Sequence, residues 1–222
     1  MWESTGLYGE SALCRYRLGH LQPQLRSPLP AELFGEGICR VGEHLWQLTW
    51  LERVALRWDA RTLELRERVP YNREGWGMCA AEGCVFTSDG SSELVRRDPG
   101  TLGTLEVIHV RCDGARLLGL NDLAWSGGRV WANVLPRDLL VGIDPDRGEV
   151  TDIVDARAGR ERHMGDDQAI LNGIAALPGP GEFLLTGKRY RAIRHVRLVP
   201  ARPRAGRRSA ARLIEDRGGF SV

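Results

Sequence analysis

Apolar positions in this chain come in short runs of about four to six residues, separated by turns rich in Gly and Asp. Inside the runs there is no sustained 3.6-residue period, so the pattern predicts strands and not amphipathic helices. Four stretches share one form: Phe34-Gly-Glu-Gly-Ile38, Gly75-Trp-Gly-Met-Cys79, Leu120-Asn-Asp-Leu-Ala124 and Leu171-Asn-Gly-Ile-Ala175, their starts separated by 41, 45 and 51 residues. Each is followed across a Gly-containing turn by a second run: Leu45-Trp-Gln-Leu-Thr-Trp50, Val85-Phe-Thr-Ser-Asp89, Val130-Trp-Ala-Asn-Val134 and Phe183-Leu-Leu-Thr-Gly-Lys188. A third run comes next: Leu56-Arg-Trp-Asp59, Leu94-Val-Arg-Arg-Asp98, Leu140-Val-Gly-Ile-Asp144 and Ile193-Arg-His-Val196. The first three of these lead into Asp-headed turns, and a fourth, more polar run such as Glu64-Leu-Arg-Glu-Arg-Val69 follows.

Four short strands per repeat of about 40–50 residues is the pattern of a β-propeller blade. The fold class expected is all-β, a five-bladed β-propeller. The WD40 pattern does not fit, because only Trp58-Asp59 matches its dipeptide and no Gly-His partner recurs. The first run of each repeat is then the innermost strand, and Glu36, Trp76, Asn121 and Asn172 occupy one equivalent position. A structural position would carry one residue type in every copy. Different chemistry at one position of the repeat points to a binding site, although an Asn at a strand start, such as Asn172, also serves structure.

The head of the chain is out of phase with the repeat. Met1–Ser11 aligns with the second strand of a blade and Leu13–Leu18 with the third, so the first blade is expected to be incomplete at the N-terminus. Residues 1–200 are assigned to the propeller. Residues 201–222 form an Arg-rich tail expected to be disordered, with Ala211-Arg-Leu-Ile214 as its one strand candidate.

Composition changes this picture little. The apolar fraction, 42% of 222 residues, is that of a chain able to fill a core. No apolar run reaches 18 residues, so no transmembrane helix is expected, and Met1-Trp2-Glu3 opens on polar sequence with no signal-peptide pattern. The compartment stays open. The net charge of +2 hides a tail with six Arg against Glu215 and Asp216; a solvated tail is expected here and no nucleic-acid partner. Lys188 is the only lysine among 31 basic residues, a hint that an ammonium is wanted there. Cys14, Cys39, Cys79, Cys84 and Cys112 are odd in number with no C-x-x-C, and His20, His44, His109, His163 and His195 have no ligand spacing, so neither a disulfide framework nor a metal site is expected.

Nine motifs in order carry a family resemblance. They are Glu3-Ser-Thr-Gly-Leu-Tyr-Gly-Glu-Ser11, Phe34-Gly-Glu-Gly-Ile38, Gln47-Leu-Thr-Trp50, Gly75-Trp-Gly-Met78, Ser88-Asp-Gly-Ser91, Leu120-Asn-Asp-Leu123, Ala132-Asn-Val134, Leu171-Asn-Gly-Ile-Ala175 and Thr186-Gly-Lys188. Over roughly residues 1–197 the chain resembles the plant and bacterial type glutaminyl-peptide cyclotransferases (glutamine cyclotransferases). The resemblance implies a five-bladed propeller that converts the N-terminal Gln of peptides and proteins to pyroglutamate with release of ammonia. It implies an acyltransferase without metal or other cofactor. Catalytic roles are implied for Glu36 and Lys188, and substrate-binding roles for Trp50, Trp76 and Asn121. Three departures stand out: Leu135 replaces a family Trp, Asp122 replaces a family Glu, and an upstream Phe-Thr-Gln-Gly-Leu motif is missing.

The chemistry can be argued on its own terms. The free α-amine must attack its own γ-carboxamide carbon, and its pKa near 8 makes the neutral form accessible. A carboxyl can carry the amine proton to the leaving ammonia, which suits Glu36. Phe34 beside it would raise its pKa by desolvation. Lys188 and Asn121 are candidates to steady the oxyanion, and Trp50 and Trp76 to wall the pocket. Partners expected are peptides with N-terminal Gln, and no membrane; a monomer is expected. The competing expectation is a catalytically impaired propeller acting as a peptide- or protein-binding module. A metal-dependent lactonase-like propeller ranks lower, since the channel positions carry one carboxylate.

Overall fold

The computed structural model describes residues 1–20, 22–157, 169–200 and 211–221, the last stretch by its backbone alone. The chain forms 21 strands among these residues, in five successive meanders. The first is a three-stranded sheet of β1 (Trp2–Thr5), β2 (Ala12–Arg15) and β3 (Leu25–Pro28). The second is β4 (Gly35–Val41), β5 (His44–Thr49), β6 (Val54–Asp59) and β7 (Leu65–Pro70). The third is β8 (Met78–Ala81), β9 (Cys84–Ser88), β10 (Glu93–Arg97) and β11 (Thr104–His109). A small hairpin, β12 (Arg111–Cys112) and β13 (Ala115–Arg116), follows. The fourth meander is β14 (Leu120–Ser126), β15 (Arg129–Val134), β16 (Leu139–Asp144) and β17 (Glu149–Asp155). The fifth is β18 (Ile170–Ala176), β19 (Glu182–Lys188), β20 (Ala192–Pro200) and β21 (Ala211–Ser221). Five antiparallel meanders of this kind make the fold class an all-β, five-bladed propeller.

Two compact units divide the chain: Met1–Asp89 with Leu94–Val107, and Gly90–Glu93 with Ile108–Val222. In the first unit, Leu13, Leu29 and Leu33 pack with Leu45, Leu56, Trp58 and Leu63. On the other side of the second meander, Trp46, Leu48 and Ala55 pack with Met78, Val85, Leu102 and Tyr71. A sheet covered on both faces buries consecutive positions, which is why β5 is buried without alternation from Leu45 to Thr49, the polar Gln47 and Thr49 included, and β6 is buried at Ala55, Leu56 and Trp58. The outer strand β7 is largely exposed, and its Leu65-Arg-Glu-Arg-Val69 is correspondingly charged. In the second unit, Trp131, Leu140 and Val154 pack with Leu171, Ile174, Phe183, Leu185 and Val196, the Trp131 and Phe183 rings meeting edge to face at 5.5 Å.

The Asp-headed turns are one structure built three times. Backbone N–H groups of Leu63, Leu102 and Gly148 donate to the carbonyls of Asp59, Asp98 and Asp144, each at 2.9 Å. Each Asp Oδ1 also accepts two N–H groups of its own turn. For Asp59 the Thr62 N–H, then the Arg66 guanidinium, holds the carboxyl well below the usual range.

Two expectations meet the backbone directly. The head of the chain, expected to form an incomplete blade, forms a sheet of three strands among the described residues, β1-β2-β3. The disordered tail expected over residues 201–222 does not hold throughout. Residues 201–210 and 222 lie outside the described residues, whereas Ala211–Ser221 is a strand beginning at the Ala211-Arg-Leu-Ile214 candidate. It pairs antiparallel with β20 and parallel with β17, so it joins the fifth meander. Eight of its residues have partners on β20, which supplies backbone bonds despite the charged sequence.

Candidate active site

Strand register places the four variable positions in equivalent settings. In the second meander Gly35 pairs with Thr49 and Ile38 with Gln47, so the register shifts across Glu36 and Gly37. In the fourth, Leu120 pairs with Val134 and Leu123 with Ala132, with the same shift across Asn121 and Asp122. In the fifth, Leu171 pairs with Gly187 and Ile174 with Leu185, the irregularity falling at Asn172. Such a bulge re-aims the side chain at the mouth of a strand. Trp76 holds the same place just before β8, its N–H donating to the Ser88 carbonyl.

The register also exposes a second series that sequence reading missed as a set. At the end of the second strand, opposite the residue that enters the first, stand Trp50, Leu135 and Lys188 in the second, fourth and fifth meanders. Trp50 N–H donates to the Phe34 carbonyl at 3.1 Å, and Leu135 N–H donates to the Gly119 carbonyl at 2.8 Å, so the two occupy matching positions. Leu135 therefore stands where Trp50 stands in its own meander.

In the first unit a few backbone bonds gather four of the expected residues. Besides the Trp50–Phe34 bond, Gly37 N–H donates to the Trp76 carbonyl at 2.9 Å, and Gly75 N–H reaches the carbonyls of Thr49 and Trp50 at 3.1 and 3.0 Å. Phe34, Glu36, Trp50 and Trp76 are all half-buried. The glycines flanking Glu36 are required by crowding. A Cβ on Gly35 would stand 2.8 Å from the Thr5 carbonyl oxygen, and one on Gly37 would stand 2.7 Å from Met78 N and 2.8 Å from Gly77 Cα. Tyr8 joins the cluster, its ring 5.4 Å from Phe34, which is 5.5 Å from Trp50, both edge to face. The Trp76 indole N–H donates to Glu74 at 3.2 Å.

In the second unit Asn121, 6% exposed, is the second residue of β14, and Lys188, exposed, closes β19. Asn172 holds the strand pair together, its Oδ1 accepting the Lys188 backbone N–H at 3.0 Å. Asp122 sits at the register position of Gly37. Where Gly37 lets the neighbouring inner strand approach backbone to backbone, Asp122 reaches its neighbour through its carboxyl, which accepts N–H groups of Ile174 and Leu123 at 2.9 Å each. Burial pushes its pKa up to about 7 against those two N–H donors. In the sequence Asp122 stands out only as a conservative substitution; its cross-strand role needs the β14–β18 approach to be seen. Asn133, opposite this bulge, is fully buried with no hydrogen-bond partner for either side-chain atom among the described residues.

All five cysteines are free thiols, and no group of three or more His, Cys, Asp or Glu side chains with metal-ligand geometry occurs among the described residues. His195 Nε2 lies 2.9 Å from Glu182 and His109 Nδ1 3.4 Å from Glu93; His163 lies outside the described residues.

Known proteins align with this arrangement. The family profile of glutamine cyclotransferase matches residues 1–198. The glutaminyl-peptide cyclotransferase of Arabidopsis thaliana is 31% identical over 212 residues, 93% of this chain and 66% of its own length. The chain thus spans just under two thirds of that relative. The crystal structure of Myxococcus xanthus glutaminyl cyclase is 31% identical with a TM-score of 0.77, over 84% of this chain and 80% of that one. A Bacteroides caccae protein of unknown function (12% identity, TM-score 0.55, 92% of this chain and 70% of that one) and the Neurospora crassa Pan2 WD40 domain (8%, 0.51, 94% and 61%) share the fold alone. With the profile running from the first strand into β20, the chain belongs to the glutamine cyclotransferase family.

Proposed function

We propose that this protein cyclises the N-terminal glutamine of peptides to pyroglutamate. The observation that carries the reading is the gathering of Phe34, Trp50 and Trp76 around the Gly35-Glu36-Gly37 bulge, within a family match of residues 1–198. The α-amine nitrogen bonds to the γ-carboxamide carbon, the tetrahedral intermediate collapses, the bond to the amide nitrogen breaks and ammonia leaves. The Glu36 carboxylate takes the amine proton and returns it to the departing nitrogen, so no net proton is consumed. Trp50 and Trp76 hold the glutamine side chain folded toward its own amine and keep water out, and Phe34 lowers the polarity beside Glu36. Lys188 and Asn121 take the role of donors to the oxyanion. No step calls on a metal.

The experiment is ammonia release from a Gln-initiated dipeptide, with and without a chelator. Turnover that survives chelation is expected, and Glu36→Gln should abolish it while leaving thermal unfolding unchanged. Full activity in that variant would remove Glu36 from the mechanism. The second reading, a propeller that binds peptides without turning them over, is favoured by Leu135 at the position matching Trp50. Peptide binding by both the parent and Glu36→Gln, with no turnover in either, would select it.

A further inference from the structure

Large apolar side chains scattered singly on a surface need no explanation. Leu7 (56% exposed), Tyr8 (49%) and Leu51 (48%) are not scattered. Leu51 follows Trp50 directly, and Tyr8 abuts Phe34, which abuts Trp50. The exposed residues thus continue the aromatic cluster outward from the Glu36 bulge. The loop that carries two of them is held rigidly. Ser11 Oγ donates to the Leu7 carbonyl at 2.7 Å and accepts the N–H groups of Leu7 and Gly35, each at 3.0 Å. Gly9 N–H donates to the Ala31 carbonyl at 3.1 Å. The Tyr8 hydroxyl donates to Glu52 at 2.7 Å. Leu7 itself is kept at a φ of 149°, a conformation that costs free energy and persists only when its surroundings impose it. One hydroxyl, that of Ser11, therefore ties this exposed loop to the residue next to Glu36.

An apolar surface that is ordered before anything binds loses little entropy when it is covered. Its place restricts what covers it. Phe34 and Glu36 are two residues apart, at most about 7 Å along the chain, and successive Cα atoms of a peptide are about 3.8 Å apart. A substrate held by its first residue beside Glu36 can extend a large second side chain past Phe34 toward Tyr8, the ring that abuts it. Glu52, whose carboxylate borders it, would repel an acidic side chain.

Resting on the cyclotransferase reading, we propose that Leu7, Tyr8 and Leu51 form the subsite for the second residue of the peptide, selecting a large apolar or aromatic side chain and disfavouring Asp and Glu. Burying one such side chain is worth roughly tenfold in kcat/KM or more. The test compares Gln-Phe amide, Gln-Gly amide and Gln-Glu amide in the full chain and in the double variant Leu7→Ser/Leu51→Ser. Both positions are exposed, so the variant is expected to keep the parent's thermal unfolding temperature. Gln-Phe should exceed Gln-Gly by about tenfold in the parent, with Gln-Glu below Gln-Gly. In the variant the Gln-Phe to Gln-Gly ratio should fall to about one to two. A ratio near one in the parent, or one unchanged in the variant, overturns the subsite. If no dipeptide is turned over, the cyclotransferase reading fails by itself. Calorimetric Kd values for the same three amides then decide the subsite: a preference for Gln-Phe lost in the double variant supports it, and equal affinities overturn it.

Discussion

Gly37→Ala tests whether the inner strands of the first unit meet backbone to backbone. The added Cβ would stand 2.7 Å from Met78 N and 2.8 Å from Gly77 C and Cα. Those distances fall roughly 0.7 Å short of van der Waals contact, and the obstructing atoms are main chain, so no side chain can swing away. Relief must come from moving β4 and β8 apart, which also breaks the 2.9 Å bond from Gly37 N–H to the Trp76 carbonyl. Overpacking of this kind costs about 1–3 kcal/mol and the lost bond about 1 kcal/mol. A total near 3 kcal/mol corresponds to a Tm lowered by about 6–12 °C for a chain of this size. The assay is thermal unfolding followed by far-ultraviolet circular dichroism, with Gly100→Ala as the control. A Cβ at Gly100 has only Asp98 Oδ1 near it, at 3.4 Å, so the control should stay within about 0.5 kcal/mol of the parent. The same movement displaces Glu36 from Trp76, and misplacement by about 1 Å can cost 100-fold in kcat/KM. A Gly37→Ala protein that melts with the control and keeps activity within about twofold would refute the close approach and its link to the site.

Other outcomes follow from the second unit and from the thiols. Asp122 has a folded-state pKa raised to about 7, so the native state holds a proton the unfolded state releases; stability relative to Asp122→Asn should fall as pH rises from about 4 to about 7 and level off above. The size is no more than about 4 kcal/mol, read from Tm against pH for both proteins, and parallel curves would contradict the raised pKa. Asn133→Leu removes two buried polar atoms that have no partner among the described residues, and a Tm increase worth about 1–3 kcal/mol is expected; a decrease would show that the amide is satisfied in solution. Cys14, Cys39 and Cys79 are buried and Cys84 and Cys112 half-buried, so a thiol reagent should label no more than two cysteines in the native protein and all five in denaturant. Rapid labelling of Cys39, whose thiol pKa is raised by burial, would contradict its position.

The repeat of Phe34, Gly75, Leu120 and Leu171 carried enough information to place the strands, their grouping into meanders and the Asp-headed turns. These features rest on short-range causes: apolar runs for strands covered on both faces, and an Asp side chain capping its own turn. The same repeat singled out Glu36, Trp76 and Asn121 because chemistry varied at a constant place in each unit. Pairing decided the rest. The series Trp50, Leu135 and Lys188 emerges only when each second strand is set against its first, because a bulge shifts the register by an amount no local pattern shows. Tyr8 lies 26 residues from Phe34 and Asp122 lies 52 residues from Ile174, so neither contact leaves a periodic trace in the chain. The strand at Ala211–Ser221 shows only its Ala211-Arg-Leu-Ile214 start in the sequence, and backbone pairing with β17 and β20 carries it on through the charged and glycine residues that follow. Local chemistry thus set which residues were offered. The long-range hydrogen bonds, which no stretch of chain can satisfy alone, decided which of them meet.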